Sequence, residues 1–196
     1  GQEAKLAAEE PGSAERAALQ QRFREAIDTL RRTRRNGRNL YALPWYVVIG
    51  PPGSGKSTLL QNSGLDFPLS ERFGNKALRG IGGTRDCDWW FTDEAVFLDT
   101  AGRYTTQDSD AAADASAWQA FLTLLRRYRR RRPLNGVIVT MSVSDLLSFD
   151  ETARQQHMRA VRRRLDELTQ YLKVPVPVYL VFTKSDLVAG FGEFFD

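Results

Sequence analysis

An α/β fold with a mainly parallel sheet is what this sequence predicts, and three observations predict it. From Trp45 onward, short β-branched runs alternate with longer amphipathic segments, the pattern of βαβ units whose crossover helices separate parallel strands. The first run leads into a glycine-rich stretch that opens a helix. The third ends in Asp-x-x-Gly. Together these predict a P-loop NTPase fold of the GTPase-like kind. Its sheet would have about five strands, one of them an antiparallel edge hairpin strand, with flanking helices and a helix ahead of the sheet.

The elements follow in order. Residues 1–12 are Ala/Glu-rich and end at Pro11-Gly12, the composition of a disordered tail or of residues foreign to the fold. Over 13–38, Leu19, Phe23, Ile27 and Leu30 recur at helical spacing, and Gly37 is placed to end the helix. Such a helix either packs on the core or acts as a lever from something upstream; the spacing fits both. The domain proper is expected over 44–196, truncated at its C-terminus. Strands are expected at 46–49, about 88–91, 95–98, 137–141 and 178–182, and helices at 56–62, 111–131 and 150–172. Thr92-Asp93-Glu94 would turn the second strand back as a hairpin. Trp89 and Trp90, adjacent on a strand, should face opposite sides of the sheet.

Composition sets outer bounds. At 196 residues and 42% hydrophobic, the chain can bury one ordinary core. The single cysteine, Cys87, excludes an intramolecular disulfide framework and fits a reducing compartment. No run reaches the ~18 apolar residues of a membrane span, and the N-terminus is not a secretory signal. The net charge of +4 suits an anionic ligand without requiring nucleic acid. The basic excess gathers at 31–38 and 126–132, which read as solvated helix ends; patches for acidic partners, RNA or lipid headgroups are the alternative.

Gly50-Pro51-Pro52-Gly53-Ser54-Gly55-Lys56-Ser57 matches G-x-x-x-x-G-K-[ST] between a strand and a helix, as the pattern requires. Its glycines let successive N–H groups turn toward phosphates, and the helix adds its positive end. Gly50, Gly53, Ser54, Gly55, Lys56, Ser57 and Thr58 are therefore candidate nucleotide-binding residues. Lys56 would bridge the β- and γ-phosphates, and Ser57 would offer its hydroxyl to Mg²⁺, a hard ion that wants oxygen ligands. Asp99, in Asp99-Thr100-Ala101-Gly102, would hold the magnesium, and the Gly102 N–H would meet the γ-phosphate. Between these motifs, Thr84 in the glycine-rich 80–85 stretch is the candidate to close over the metal, with Ser70 and Thr92 as substitutes; a plain glycine loop is the alternative.

Thr183-Lys184-Ser185-Asp186 is similar to the [NT]-K-x-D motif that reads guanine, in which one carboxylate accepts both donors on the base edge. ATP would leave Asp186 unpaired, so GTP is favoured over ATP as the ligand. A helix-capping role for Asp186 is the bland alternative. Thr183 stands where Asn is commoner, so the support beneath this loop is expected to be weaker. Arg103 occupies the place where Ras-like GTPases carry the water-orienting Gln. Slow hydrolysis is expected on that ground. Arg103 or Arg85 would stabilise transition-state charge, or both would pair with acidic neighbours. Gln107 and His157 carry less: His157 reads as a surface residue of an Arg-rich helix.

The stretch 45–104, above all GPPGSGKSTLLQNSGLDFPL and GTRDCDWWFTDEAVFLDTAGRY, together with TKSDL, resembles the IcmF/TssM family of type VI secretion membrane-complex proteins. The resemblance implies an inner-membrane protein with transmembrane helices upstream, a cytoplasmic NTPase-like domain and a large periplasmic portion, of which this chain would be the cytoplasmic piece. It also implies protein partners in the membrane complex and baseplate rather than nucleic acid. Two readings compete: a nucleotide switch in which 80–85 and 102–107 reorder, and a scaffold that keeps the fold but hydrolyses nothing. A motor ATPase is a third; Asp145, its only candidate base, has no identifiable partner in the sequence.

Overall fold

The computed structural model describes residues 13–33, 41–67, 87–108 and 110–195. Thr84 and the rest of 80–85, Ser70, Gly37 and the 1–12 tail lie outside these residues. The elements are α1 (Ser13–Thr33), β1 (Trp45–Ile49), α2 (Lys56–Gln61), β2 (Cys87–Phe91), β3 (Val96–Thr100), α3 (Gly102–Thr106), α4 (Ala111–Tyr128), β4 (Gly136–Ser142), α5 (Val143–Ser148), α6 (Glu151–Leu172), β5 (Val178–Thr183), a 3₁₀ turn (Ser185–Leu187) and α7 (Phe191–Phe195).

The five strands form one sheet in the order β2-β3-β1-β4-β5. Only the β2–β3 pair is antiparallel, joined as the hairpin expected from Thr92-Asp93-Glu94. The Thr92 hydroxyl accepts from the Glu94 and Ala95 amides at 3.1 and 2.8 Å, holding that turn. The other pairs are parallel, so the carboxyl ends of β1, β3, β4 and β5 share one rim. Val48 pairs with Asp99, and Ser142 with Thr183. That register places the residues after each strand next to one another.

Trp45, Val47 and Ile49 alternate toward one face of β1, as period-two geometry demands, and join Val96, Leu98, Val137 and Val139 in the core. α1 and α4 cover that face. Phe23 of α1 meets Trp89 edge-on at 4.8 Å and Phe121 of α4 at 5.8 Å. The α1 stripe Leu19, Phe23, Ile27 and Leu30 is buried, so this helix is part of the core. Truncating Phe121, which is fully buried, would cost about 3–5 kcal/mol. Trp89 enters the core while Trp90 turns the other way, against Phe67.

Several boundaries move. β3 runs to Thr100 rather than 98, which puts Asp99 inside the strand, and α4 stops at Tyr128 rather than 131. The arginine run that follows is not wholly solvated. Arg129 is buried, its guanidinium over the Trp45 and Tyr41 rings at 4.5 and 5.1 Å, while its neighbours stay exposed. Burial pushes its pKa down to about 10, further lowered by Arg132 and opposed by Tyr41. The short helices α3, α5 and α7 were not foreseen, because five or six residues are too few for a hydrophobic period to register.

Candidate functional site

β1 ends at Ile49, and the chain loops through 50–55 before α2 begins at Lys56. Gly55, the residue before the helix, has φ 82°, a conformation that side chains with a Cβ resist. The loop closes with the Ser54 amide donating to the Pro51 carbonyl at 3.2 Å. Lys56 is almost fully buried, and its ammonium donates to the Gly50 and Pro51 carbonyls at 3.0 Å each. Burial lowers its pKa, opposed by the charge of Asp99. A cation held against its own desolvation gains from an anionic ligand.

The end of β3 supplies the second part. Asp99 is buried, and the Ser57 hydroxyl donates to its Oδ2 at 2.5 Å. The Thr100 hydroxyl donates to the Val48 carbonyl at 2.8 Å, tying β3 to β1 just below this contact. Gly102 is pressed on the loop: a Cβ there would lie 2.3 Å from the Pro52 nitrogen, so no side chain fits without moving backbone. The Gly50 amide donates to the Thr105 hydroxyl of α3 at 3.1 Å.

The third part comes from β4 and β5. The Ser54 and Thr140 hydroxyls bond each other at 2.7 Å beneath the loop. Thr183, the last residue of β5, donates its hydroxyl to the Ser54 carbonyl at 2.7 Å, so the segment after β5 is fastened to the loop after β1. Lys184 has φ 56°, and its ammonium lies 3.6 Å from Asp145 of α5, a partner the sequence left unidentified. Asp186 sits in the 3₁₀ turn that follows.

These parts enclose a cavity of about 750 Å³, within the range of small-molecule sites. One end is lined by Gly53, Gly55, Lys56, Ser57, Thr58 and Gly102, the other by Phe182, Thr183, Lys184, Asp186 and Leu187. Gly50, Ser54 and Asp99 sit behind this wall, joined to it by the bonds above. Two candidates stand apart. Thr84 is outside the described residues, and Arg103 is not at the cavity wall: its Nη1 lies 2.6 Å from Asp114 and 3.6 Å from Glu15. Desolvation lowers the Arg103 pKa, but the hydrogen bond to Asp114 and the charges of Tyr104, Glu15 and Asp114 outweigh it and raise it overall.

The donor set bears on a metal. Among the described residues no group of three or more His, Cys, Asp or Glu side chains could hold an ion. One hydroxyl and one carboxylate adjoin here, Ser57 at the cavity wall and Asp99 directly behind it. Two such oxygens fit Mg²⁺, which protein holds through one or two carboxylates while a bound phosphate and water complete the shell. Sequence reasoning passed over Thr105, Thr140 and Asp114. Thr140 had a faint signal, a polar residue within an apolar strand; Thr105 had none.

Comparison with known proteins gives two matches. Residues 111–196 match the IcmF-related N-terminal domain family. Over 185 residues, 93% of its length, the chain is 58% identical to a protein of Pseudomonas aeruginosa described as type VI secretion system component TssM1. The chain spans 17% of the length of that relative.

Proposed function

The chain belongs to the IcmF/TssM family, and on that premise we propose that it binds a nucleoside triphosphate with Mg²⁺ in the cleft between the 50–58 loop and Asp186. One observation carries this reading. The loop with Lys56, the Ser57–Asp99 contact and the Thr183–Asp186 segment, far apart in the chain, converge on a single cavity. The fold is then that of a P-loop NTPase. Lys56 exchanges its loop carbonyls for phosphate oxygens, while Gly53, Gly55, Thr58 and Gly102 meet the phosphates with backbone N–H groups. Ser57 and Asp99, with Thr84, would hold Mg²⁺, which neutralises charge across the phosphates when bound. Asp186 and Lys184 receive the base, and the two-donor edge of guanine suits a carboxylate better than adenine does, so GTP is the favoured ligand over ATP.

Hydrolysis in this reading is slow. No Gln follows Gly102, and the Arg103 guanidinium is engaged by Asp114 and Glu15. The nucleotide then acts as a conformational switch in the cytoplasmic part of a type VI secretion membrane complex, at the inner membrane, with other proteins of the complex and baseplate as partners. Among the described residues no helix is long and apolar enough to cross a membrane. The second reading, a hydrolysis-inactive scaffold that docks secretion partners, is favoured by the same engagement of Arg103.

The test is titration with fluorescent GTP and ATP analogues plus Mg²⁺, in the natural chain and in Lys56→Ala and Asp186→Ala. Lys56→Ala is expected to weaken both ligands at least 10-fold, and Asp186→Ala to weaken GTP alone, since only that loss unpairs the base edge. Failure of the natural chain to bind either nucleotide would overturn the reading in favour of the scaffold.

A further inference from the structure

Arg103 follows Gly102 directly, yet its guanidinium reaches away from the cleft toward two helices. On α4, Asp114 is almost completely buried and accepts from Arg103 at 2.6 Å. On α1, Glu15 lies 3.6 Å from the same nitrogen and is partly exposed. The rest of α3 is fastened as firmly. The Tyr104 carbonyl accepts from the buried Arg164 of α6 at 3.5 Å, and Thr105 accepts from the Gly50 amide. A five-residue helix therefore touches the phosphate end of the cleft on one side and α1, α4 and α6 on the other.

We propose that Arg103 is a positioning residue that couples the nucleotide cleft to α1, passing displacement of Gly102 through Asp114 and Glu15 to the N-terminal helix. The inference rests on nucleotide binding at this cleft. Its two carboxylates have different tasks. Asp114 is a buried charge that cannot give up its partner without a large penalty, so it anchors the guanidinium. Glu15 is part-exposed as a side chain, but the Oε2 that faces Arg103 is buried, makes no hydrogen bond among the described residues and lies 3.6 Å away, so this loose contact can be tightened or broken by a small shift. Gly102 is packed so closely on Pro51 and Pro52 that no Cβ fits, so a shift of Gly102 toward a phosphate is passed on to the loop and to α3. Coupling of this kind is reciprocal: what α1 does to the cleft, the nucleotide does to α1.

The experiment has two arms. Without nucleotide, Glu15→Gln should shift the backbone amide resonances of Gly50 and Gly102, whereas Glu25→Gln, on the same helix but bonded along it to Gln21, should leave them in place. Unmoved amides in Glu15→Gln would overturn the coupling. With Mg²⁺ and either GTPγS or GDP, hydrogen exchange over Ser13–Thr33 should differ about 5-fold between the ligands. That difference should vanish in Glu15→Gln and in Arg103→Lys, which keeps the charge beside Asp114 and so the fold. Equal exchange with both ligands bound would also overturn it. A natural chain that binds neither nucleotide refutes the proposed function, and the first arm alone then decides the coupling.

Discussion

At Thr183 a single hydroxyl joins two halves of the site. It donates to the Ser54 carbonyl, a residue 129 positions earlier, and its side chain lies 3.4 Å from where a Cβ on Gly55 would stand. Thr183→Val keeps the shape and removes the donor, leaving a part-buried carbonyl unsatisfied. The expected cost is about 1–3 kcal/mol, read from urea denaturation, with weaker analogue binding because the loop loses its tether. Unchanged stability would mean that water takes over the carbonyl. Arg129 makes a contrasting case. In sequence it is one cation of a run, indistinguishable from Arg130 or Arg131, yet among the described residues it is the Arg129 guanidinium that lies over Trp45 and Tyr41 and donates to the Leu43 carbonyl. Nothing local marks it, because Trp45, Tyr41 and Leu43 lie 84 or more positions upstream in a segment that packs beside it only after folding.

Among the elements, α6 starts where its sequence says it should: Asp150 caps it, accepting from the Ala153 amide at 2.7 Å. His157, one turn further on, is not the plain surface residue its charged neighbours suggest. Its ring packs on Phe149 with centroids 5.7 Å apart, and burial lowers its pKa below the ordinary 6.5, opposed by the charge of Asp145. The folded state then binds the proton less well than the unfolded chain does. The contribution is intact above pH 6.5 and declines as pH falls below it toward the folded value. Urea midpoints measured from about pH 7.5 down to about pH 5 should fall, and fall less in His157→Gln. An identical slope in the variant would remove His157 from the account. The element that matters most to the site, α3, was illegible: Gly-Arg-Tyr-Thr-Thr has no period, and its helicity follows from what it touches.

Across the whole molecule, the sheet is finished unevenly. Val-Tyr-Leu-Val-Phe in β5 is a continuous apolar run, the composition of a parallel strand covered on both faces. In the structure β5 is an edge strand, with Val178, Leu180 and Phe182 each about half exposed. An open, apolar edge of this kind invites pairing between copies. This chain should bind a hydrophobic dye and associate as concentration rises, and Leu180→Lys should suppress both; a monomer at all concentrations, measured by sedimentation, would count against it.

The sequence by itself determined the α/β class, the order of the strands along the chain, the β2–β3 hairpin and the composition of the loop that lines one end of the cleft. These depend on short-range pattern: alternation along a strand, glycine where the backbone must turn, a cap before a helix. The tertiary structure alone decided that Arg103 faces Asp114 and Glu15 rather than the cleft, that Arg129 is buried, and that Thr183 holds Ser54. Each of those is a pairing between residues distant in the chain. Sheet order and helix packing set such pairings, and a linear pattern carries no record of them.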